Sequence, residues 1–248
     1  MRDQVLRPAG GVNLTRDAMN SENIGEPVAI RVPIGRQWLD GDLAMPSQPK
    51  GIVLFAHGSG SSRHSPRNQF VARALRQRGC ATLLIDLLTP PEEAVDARTA
   101  EFRFNIELLA GRLVTIVEWL RAQPQTAALP IGLFGASTGG GAALMAAAAR
   151  PREIAAVVSR GGRPDLAGNA LPTVKAPTLL IVGGLDAPVM QLNRGAMNRM
   201  RAEVSLETVT GATHLFEEPG ALERVAALAG NWFERHLEPI LRHEQKGA

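Results

Sequence analysis

The chain has 248 residues and a single cysteine, Cys80, so no disulfide can form within it. That fits a reducing compartment. Cys80 opens the apolar stretch Gly79-Cys80-Ala81-Thr82-Leu83 and reads as a small buried core residue, not a reactive thiol. No apolar run approaches the ~20 residues that a membrane-spanning helix needs. Residues Met1 to Glu26 mix Arg2, Asp3, Arg7, Arg16, Asp17 and Glu22 with Gly and Asn, and they lack the apolar centre of a secretory signal. Residues 1–26 are therefore expected to be an irregular leader, and the expected location is cytoplasmic, with no membrane partner. Aromatic residues make up only 4% of the chain and the net charge is +3. No basic tract interleaved with aromatics is present, so a nucleic-acid partner is not expected.

What is present is an alternation of short apolar runs and longer helical stretches. Gly51–Ala56, Ala81–Asp86, Ile131–Phe134, Ile154–Ser159 and Pro177–Val182 are almost continuously apolar, as parallel strands covered on both faces are. Helices are expected over Pro66–Arg78, Ala100–Gln123, Thr138–Arg150, Pro188–Met200 and Pro219–Leu237. Val204–Val209 alternates and reads as a late strand with one wetter face. Val28–Val32 and Leu39–Leu43 read as a strand pair ahead of the series. This order implies an α/β fold, a mostly parallel sheet of about seven or eight strands flanked by helices. Neither a repeat nor a long linker divides it, so residues 27–240 are expected to form one domain and residues 241–248 a tail.

Gly135-Ala136-Ser137-Thr138-Gly139 matches G-x-S-x-G, and it stands where the motif requires, between an apolar strand and a helix. A sharp turn there would present the Ser137 hydroxyl, with glycines on both sides admitting close neighbours. The plainer alternative is a glycine-rich turn with Ser137 as a helix N-cap. A serine hydroxyl needs a base, and His214, in Gly211-Ala-Thr-His214, is best placed among the five histidines. An acid should hold the imidazole in the right tautomer. Asp186, in Gly183-Gly-Leu-Asp186, follows the preceding strand and is preferred to Asp165, although a turn or helix-capping role would also suit it.

Acyl transfer also needs donors for the developing oxyanion, worth about 3–4 kcal/mol each. The backbone N–H of Thr138 is one expected donor and that of Ser59, in His57-Gly58-Ser59-Gly60, the other. His57 is expected to bind loop backbone. A phosphate loop over Gly58–Ser62 would require a following Gly-Lys-Ser/Thr, which is absent. Arg160, Arg163 and, more weakly, Arg63 are candidates for holding a substrate carboxylate; the alternative for Arg160 and Arg163 is a surface arginine or an ion pair with Asp165. No metal site and no cofactor are expected.

These residues together resemble the dienelactone-hydrolase-like group of α/β-hydrolases. The resemblance runs from about Gly51 to Leu237 and rests on His57-Gly-Ser-Gly60, Gly135-Ala-Ser-Thr-Gly139, Gly183-Gly-Leu-Asp186 and Gly211-Ala-Thr-His214. It implies an α/β-hydrolase fold without a large cap domain. Dienelactone hydrolases proper carry cysteine at the nucleophile position, where this chain has Ser137. The resemblance therefore implies a serine carboxylesterase that cleaves small ester substrates through an acyl-enzyme, as monomer or homodimer. Thioesterase, peptidase or acyltransferase chemistry on the same triad is the alternative, as is a non-catalytic binding protein on a hydrolase fold.

Overall fold

The computed structural model describes residues 24–237. All but the last three residues of the expected leader, and the whole expected tail, lie outside them. The first two strands, β1 (Val28–Ile34) and β2 (Gln37–Ala44), form an antiparallel hairpin at one edge of the sheet. Its two-residue turn uses Gly35 at φ 57°, the left-handed backbone that such turns require.

The remaining strands are β3 (Gly51–Ala56), β4 (Cys80–Ile85), β5 (Ile131–Ala136), β6 (Ile154–Arg160), β7 (Thr178–Gly183) and β8 (Val204–Val209). They complete an eight-stranded sheet in the order β1-β2-β4-β3-β5-β6-β7-β8. From β4 through to β8 all pairings are parallel, and β2 meets β4 antiparallel. β3, β4, β5 and β7 are buried at every position, which is why they read as unbroken apolar runs. β8 closes the far edge and keeps a partly exposed face, as its alternation predicts.

The helices are α1 (Pro66–Gln77), α2 (Pro90–Thr99), α3 (Ile106–Ala122), α4 (Thr138–Ala149), α5 (Ala187–Met197) and α6 (Ala221–His236), with a 3-10 run over Pro164–Thr173. Successive strand residues face opposite ways, so each strand feeds two cores. Ile52 and Leu54 pack with Leu113 and Val117 of α3 and Leu144 of α4. Val53 and Phe55 pack with Val71 and Leu75 of α1 and Val225 and Phe233 of α6. Each fully buried side chain of this size contributes roughly 1.5–3 kcal/mol. No helix among the described residues is long and apolar enough to cross a membrane.

Two stretches differ from the sequence expectation. The helix expected from Ala100 starts at Ile106, capped by the Asn105 side chain on the Leu108 amide. Residues 90–99, where no helix is expected, form α2. Its start is fixed by Glu92, whose carboxylate accepts the Thr89 N–H at 2.8 Å, and it ends at Ala100 in the left-handed conformation. The 3-10 run after β6 carries no periodic apolar pattern long enough to announce it.

Cys80 is 2% exposed, and burial, with Glu234 adding to it, pushes its thiol up to about 11. Against an ordinary cysteine near 8.5, that lowers the thiolate fraction at mildly alkaline pH on the order of 10²-fold. The native protein should therefore show no thiol to Ellman's reagent, and one thiol after addition of denaturant. Rapid labelling of the folded chain would contradict the buried placement.

Candidate active site

The sheet brings Ser137, Asp186 and His214 to the carboxyl ends of β5, β7 and β8. Ser137 sits between β5 and α4 at φ 50° and ψ −123°, a conformation that L residues rarely adopt. The turn closes only because its flanks are glycine. A Cβ on Gly135 would stand 2.5 Å from the Gly139 carbonyl oxygen, and one on Gly139 would stand 2.2 Å from that of Ala56. The Ser137 amide donates to the Arg160 carbonyl at 3.2 Å, which ties the turn to the end of β6.

Ser137 and Asp186 both occupy N-cap positions, of α4 and α5, and neither side chain caps its helix. Asp186 Oδ2 instead lies 2.7 Å from His214 Nδ1, so the imidazole donates there and carries its lone pair on Nε2. His214 Nε2 stands 3.4 Å from Ser137 Oγ. That is long for a hydrogen bond, as is common before substrate draws such a site together. The Asp186 side chain is 11% exposed and that of His214 38%, so the carboxylate is mostly covered while the imidazole is more open.

The loop that carries His214 is braced by residues the sequence reading passed over. Glu218 accepts from the Thr213 hydroxyl at 2.6 Å and the Thr213 amide at 3.0 Å. The hydroxyl contact, first among its causes, holds the Glu218 carboxyl below the usual range. Phe216, fully buried at φ 57°, anchors the loop from below. Asn193 of α5 donates to the Gly162 carbonyl at 2.9 Å and so secures the turn after β6. The Thr-x-x-x-x-Glu spacing from Thr213 to Glu218 was the one local signal for these braces.

Ser59 and Thr138 are adjacent, but through a bond to each other. The Ser59 amide donates to Thr138 Oγ1 at 2.8 Å, so one of the two expected oxyanion donors already has an acceptor. His57 serves the loop backbone. Its Nε2 accepts the Leu87 N–H at 3.1 Å, which puts the ring proton on Nδ1, facing the Gly58 carbonyl at 3.0 Å. Among the described residues no three His, Cys, Asp or Glu side chains converge to hold a metal ion.

The arginines correct the expectation of a carboxylate clamp. Arg163 forms a two-pronged pair with Asp165, at 2.9 and 2.8 Å, which raises its own pKa and occupies its charge. Arg160 alternates with Ser159 along β6 and turns inward, 7% exposed, 3.4 Å from Asn68 Oδ1 and over the Phe216 ring. Burial first, and Arg67 second, push it down to about 10, so it stays cationic at neutral pH. Arg63 binds Asp86 through both its amide and its guanidinium, with Asp42 3.6 Å from Nε, which pins the loop after β3 to the end of β4 and to β2.

Known proteins share this arrangement of elements. The model of the dienelactone hydrolase family matches residues 39–240. The chain is 57% identical to dienelactone hydrolase from Anabaena variabilis, whose crystal structure superposes with a TM-score of 0.85 over 86% of this chain and 99% of that one. It is similar in fold alone to the esterase domain of a Rhodothermus marinus protein, at 21% identity and a TM-score of 0.67, covering 86% of this chain and 99% of that one. Two Mycobacterium tuberculosis proteins, provisionally named phosphoribosyl transferases, are 54% identical over 229 residues, or 92% of this chain. The chain spans only 50% of their length. With a family model that takes in most of the sheet together with Ser137, Asp186 and His214, the chain belongs to the dienelactone hydrolase family.

Proposed function

We propose that the chain is a serine hydrolase that cleaves carboxylic esters through an acyl-enzyme on Ser137. The observation that carries this reading is the continuous line from Asp186 Oδ2 through both nitrogens of His214 to Ser137 Oγ. In the first half-reaction Ser137 Oγ attacks the ester carbonyl carbon while His214 Nε2 takes the hydroxyl proton. The tetrahedral intermediate collapses, and the alcohol leaves with that proton. Water then attacks the acyl carbon, gives its proton to His214 and frees the acid, and the proton returns to Ser137. The name of the mycobacterial relatives belongs to chains twice as long, and the oriented serine favours hydrolysis for the half that is matched.

For the oxyanion, the Thr138 N–H serves as one donor. Because Thr138 Oγ1 accepts from Ser59, its own proton is free to turn to the same oxygen, so Ser59 acts through the threonine hydroxyl. Thr138→Val is then expected to lower kcat about 10²-fold with little change in KM, and Thr138→Ser to restore it. If the valine protein is as active as the parent, the freed Ser59 amide is the donor instead.

The reading itself is tested with purified protein and a panel of matched esters, thioesters and amides, together with labelling by a fluorophosphonate probe. Faster turnover of esters and labelling confined to Ser137 are expected. A chain that neither labels nor turns over any ester would end the hydrolase reading.

A further inference from the structure

A pocket of about 360 Å³ opens beside the oxyanion loop, between it and α2. That volume is sufficient for a small-molecule group. His214 and Ser137 are not among its lining residues, whereas Ser59 is. In the ester mechanism the leaving alcohol must stand at His214 Nε2 to receive its proton. Gly58, in the pocket lining, abuts Ser137, since a Cβ on it would stand 3.0 Å from Ser137 Cβ, so the pocket is within reach of an acyl part held on Ser137.

The wall carries three carboxylates, Asp86, Glu93 and Asp96, against one guanidinium, Arg103. Asp86 is bound by Arg63. Asp96 is bound by the amides of Phe102 and Arg103 and by Arg103 Nε at 2.7 Å. Several polar groups have no partner among the described residues: the Glu93 carboxylate, the hydroxyls of Ser59 and Ser61, and Arg103 Nη1. Arg103 uses only Nε and Nη2 on Asp96, and its Nη1 lies against Gly60, 3.5 Å from where a Cβ would be. Leu88 and Leu109 supply an apolar side.

Spare donors and acceptors on a wall with no surplus of positive charge suit hydroxyl groups, each of which gives one hydrogen bond and accepts others. A carboxylate would find one free guanidinium edge already balanced by Asp96, and would face Glu93. Resting on the ester-hydrolase reading, we propose that this pocket binds a neutral, polyhydroxylated acyl group, so that the substrates are esters or lactones of sugar-type hydroxy acids.

The test uses three methyl esters with six-carbon acyl chains: methyl gluconate, methyl hexanoate and monomethyl adipate. The leaving group is the same, so only the acyl pocket differs. The kcat/KM for gluconate should exceed that for hexanoate by about 10-fold or more, with adipate lowest. Glu93→Ala and Ser61→Ala should each cost the gluconate ester about 5- to 10-fold, the loss of one hydrogen bond, and leave the hexanoate rate unchanged. Preference for hexanoate or adipate, or equal losses on all three esters, would overturn the assignment. Calorimetry of methyl gluconate with the Ser137→Ala protein separates the two readings. Binding that Glu93→Ala weakens, without turnover of any ester by the parent, keeps the pocket and removes the esterase. Absence of binding removes the pocket assignment, whatever the turnover.

Discussion

Ser137→Ala is expected to reduce ester turnover by roughly 10⁴- to 10⁶-fold and to leave the fold intact, and Ser137→Gly to lose as much activity while holding or gaining stability. The activity loss follows from removing the oxygen that His214 Nε2 faces. The stability comparison follows from the backbone. At φ 50° and ψ −123° a residue with a Cβ stores about 1–3 kcal/mol of strain, which alanine keeps and glycine releases. Glycine's larger loss of freedom on folding offsets about 0.5–1 kcal/mol of that. In urea titrations the glycine protein should therefore have a midpoint at or above that of the alanine protein. The reverse order would mean that the turn stores no strain.

Asp186→Asn is expected to lower kcat by about 10⁴-fold with little change in stability. The carboxylate accepts from Nδ1 at 2.7 Å and so keeps Nε2 unprotonated and ready to accept from Ser137. An amide in its place offers its own N–H to Nδ1, which moves the ring proton to Nε2, and the imidazole can no longer take the serine proton. Because Asp186 does not cap α5, the helix loses nothing by the change. The contrasting variant is Asp165→Asn. Asp165 is engaged by Arg163, whereas His214 Nδ1 is held by Asp186, and turnover should stay within a few-fold of the parent. Loss of less than 10-fold in the Asp186→Asn protein would show that the base works without an orienting acid.

Much of this arrangement was legible because the fold writes it locally. β5, the turn and α4 are contiguous, so an apolar run, five residues of motif and an alanine-rich helix stand side by side in the sequence. Asp186 and His214 come just after two further apolar or alternating strands, and the chain order of the three residues does the rest. The pair of Arg163 with Asp165 was among the readings the sequence offered, whereas the inward turn of Arg160 was not, because side-chain direction depends on which face of the sheet a residue takes. Ser159 and Arg160 take opposite faces, and no local pattern says which one meets the site. The bond from Ser59 to Thr138 spans 79 residues and likewise has no local trace. α2 escaped notice because Asp96 is its only buried residue, leaving no apolar stripe to read. Its Thr89-Pro-Pro-Glu92 start is a capping signature that outweighs the missing stripe.

The position of β8 has a consequence for how the molecule fails under stress. His214 hangs from an outermost strand with a neighbour on one side only, whereas Ser137 hangs from the middle of the sheet. Edge elements open at lower free energy than central ones. Heat or mild denaturant should therefore carry the imidazole away from the hydroxyl while β3 to β6 still hold, and turnover would fade ahead of any spectroscopic sign of melting. Recovery on cooling would be fast, since the part that has to find its place again is a single strand and its loop.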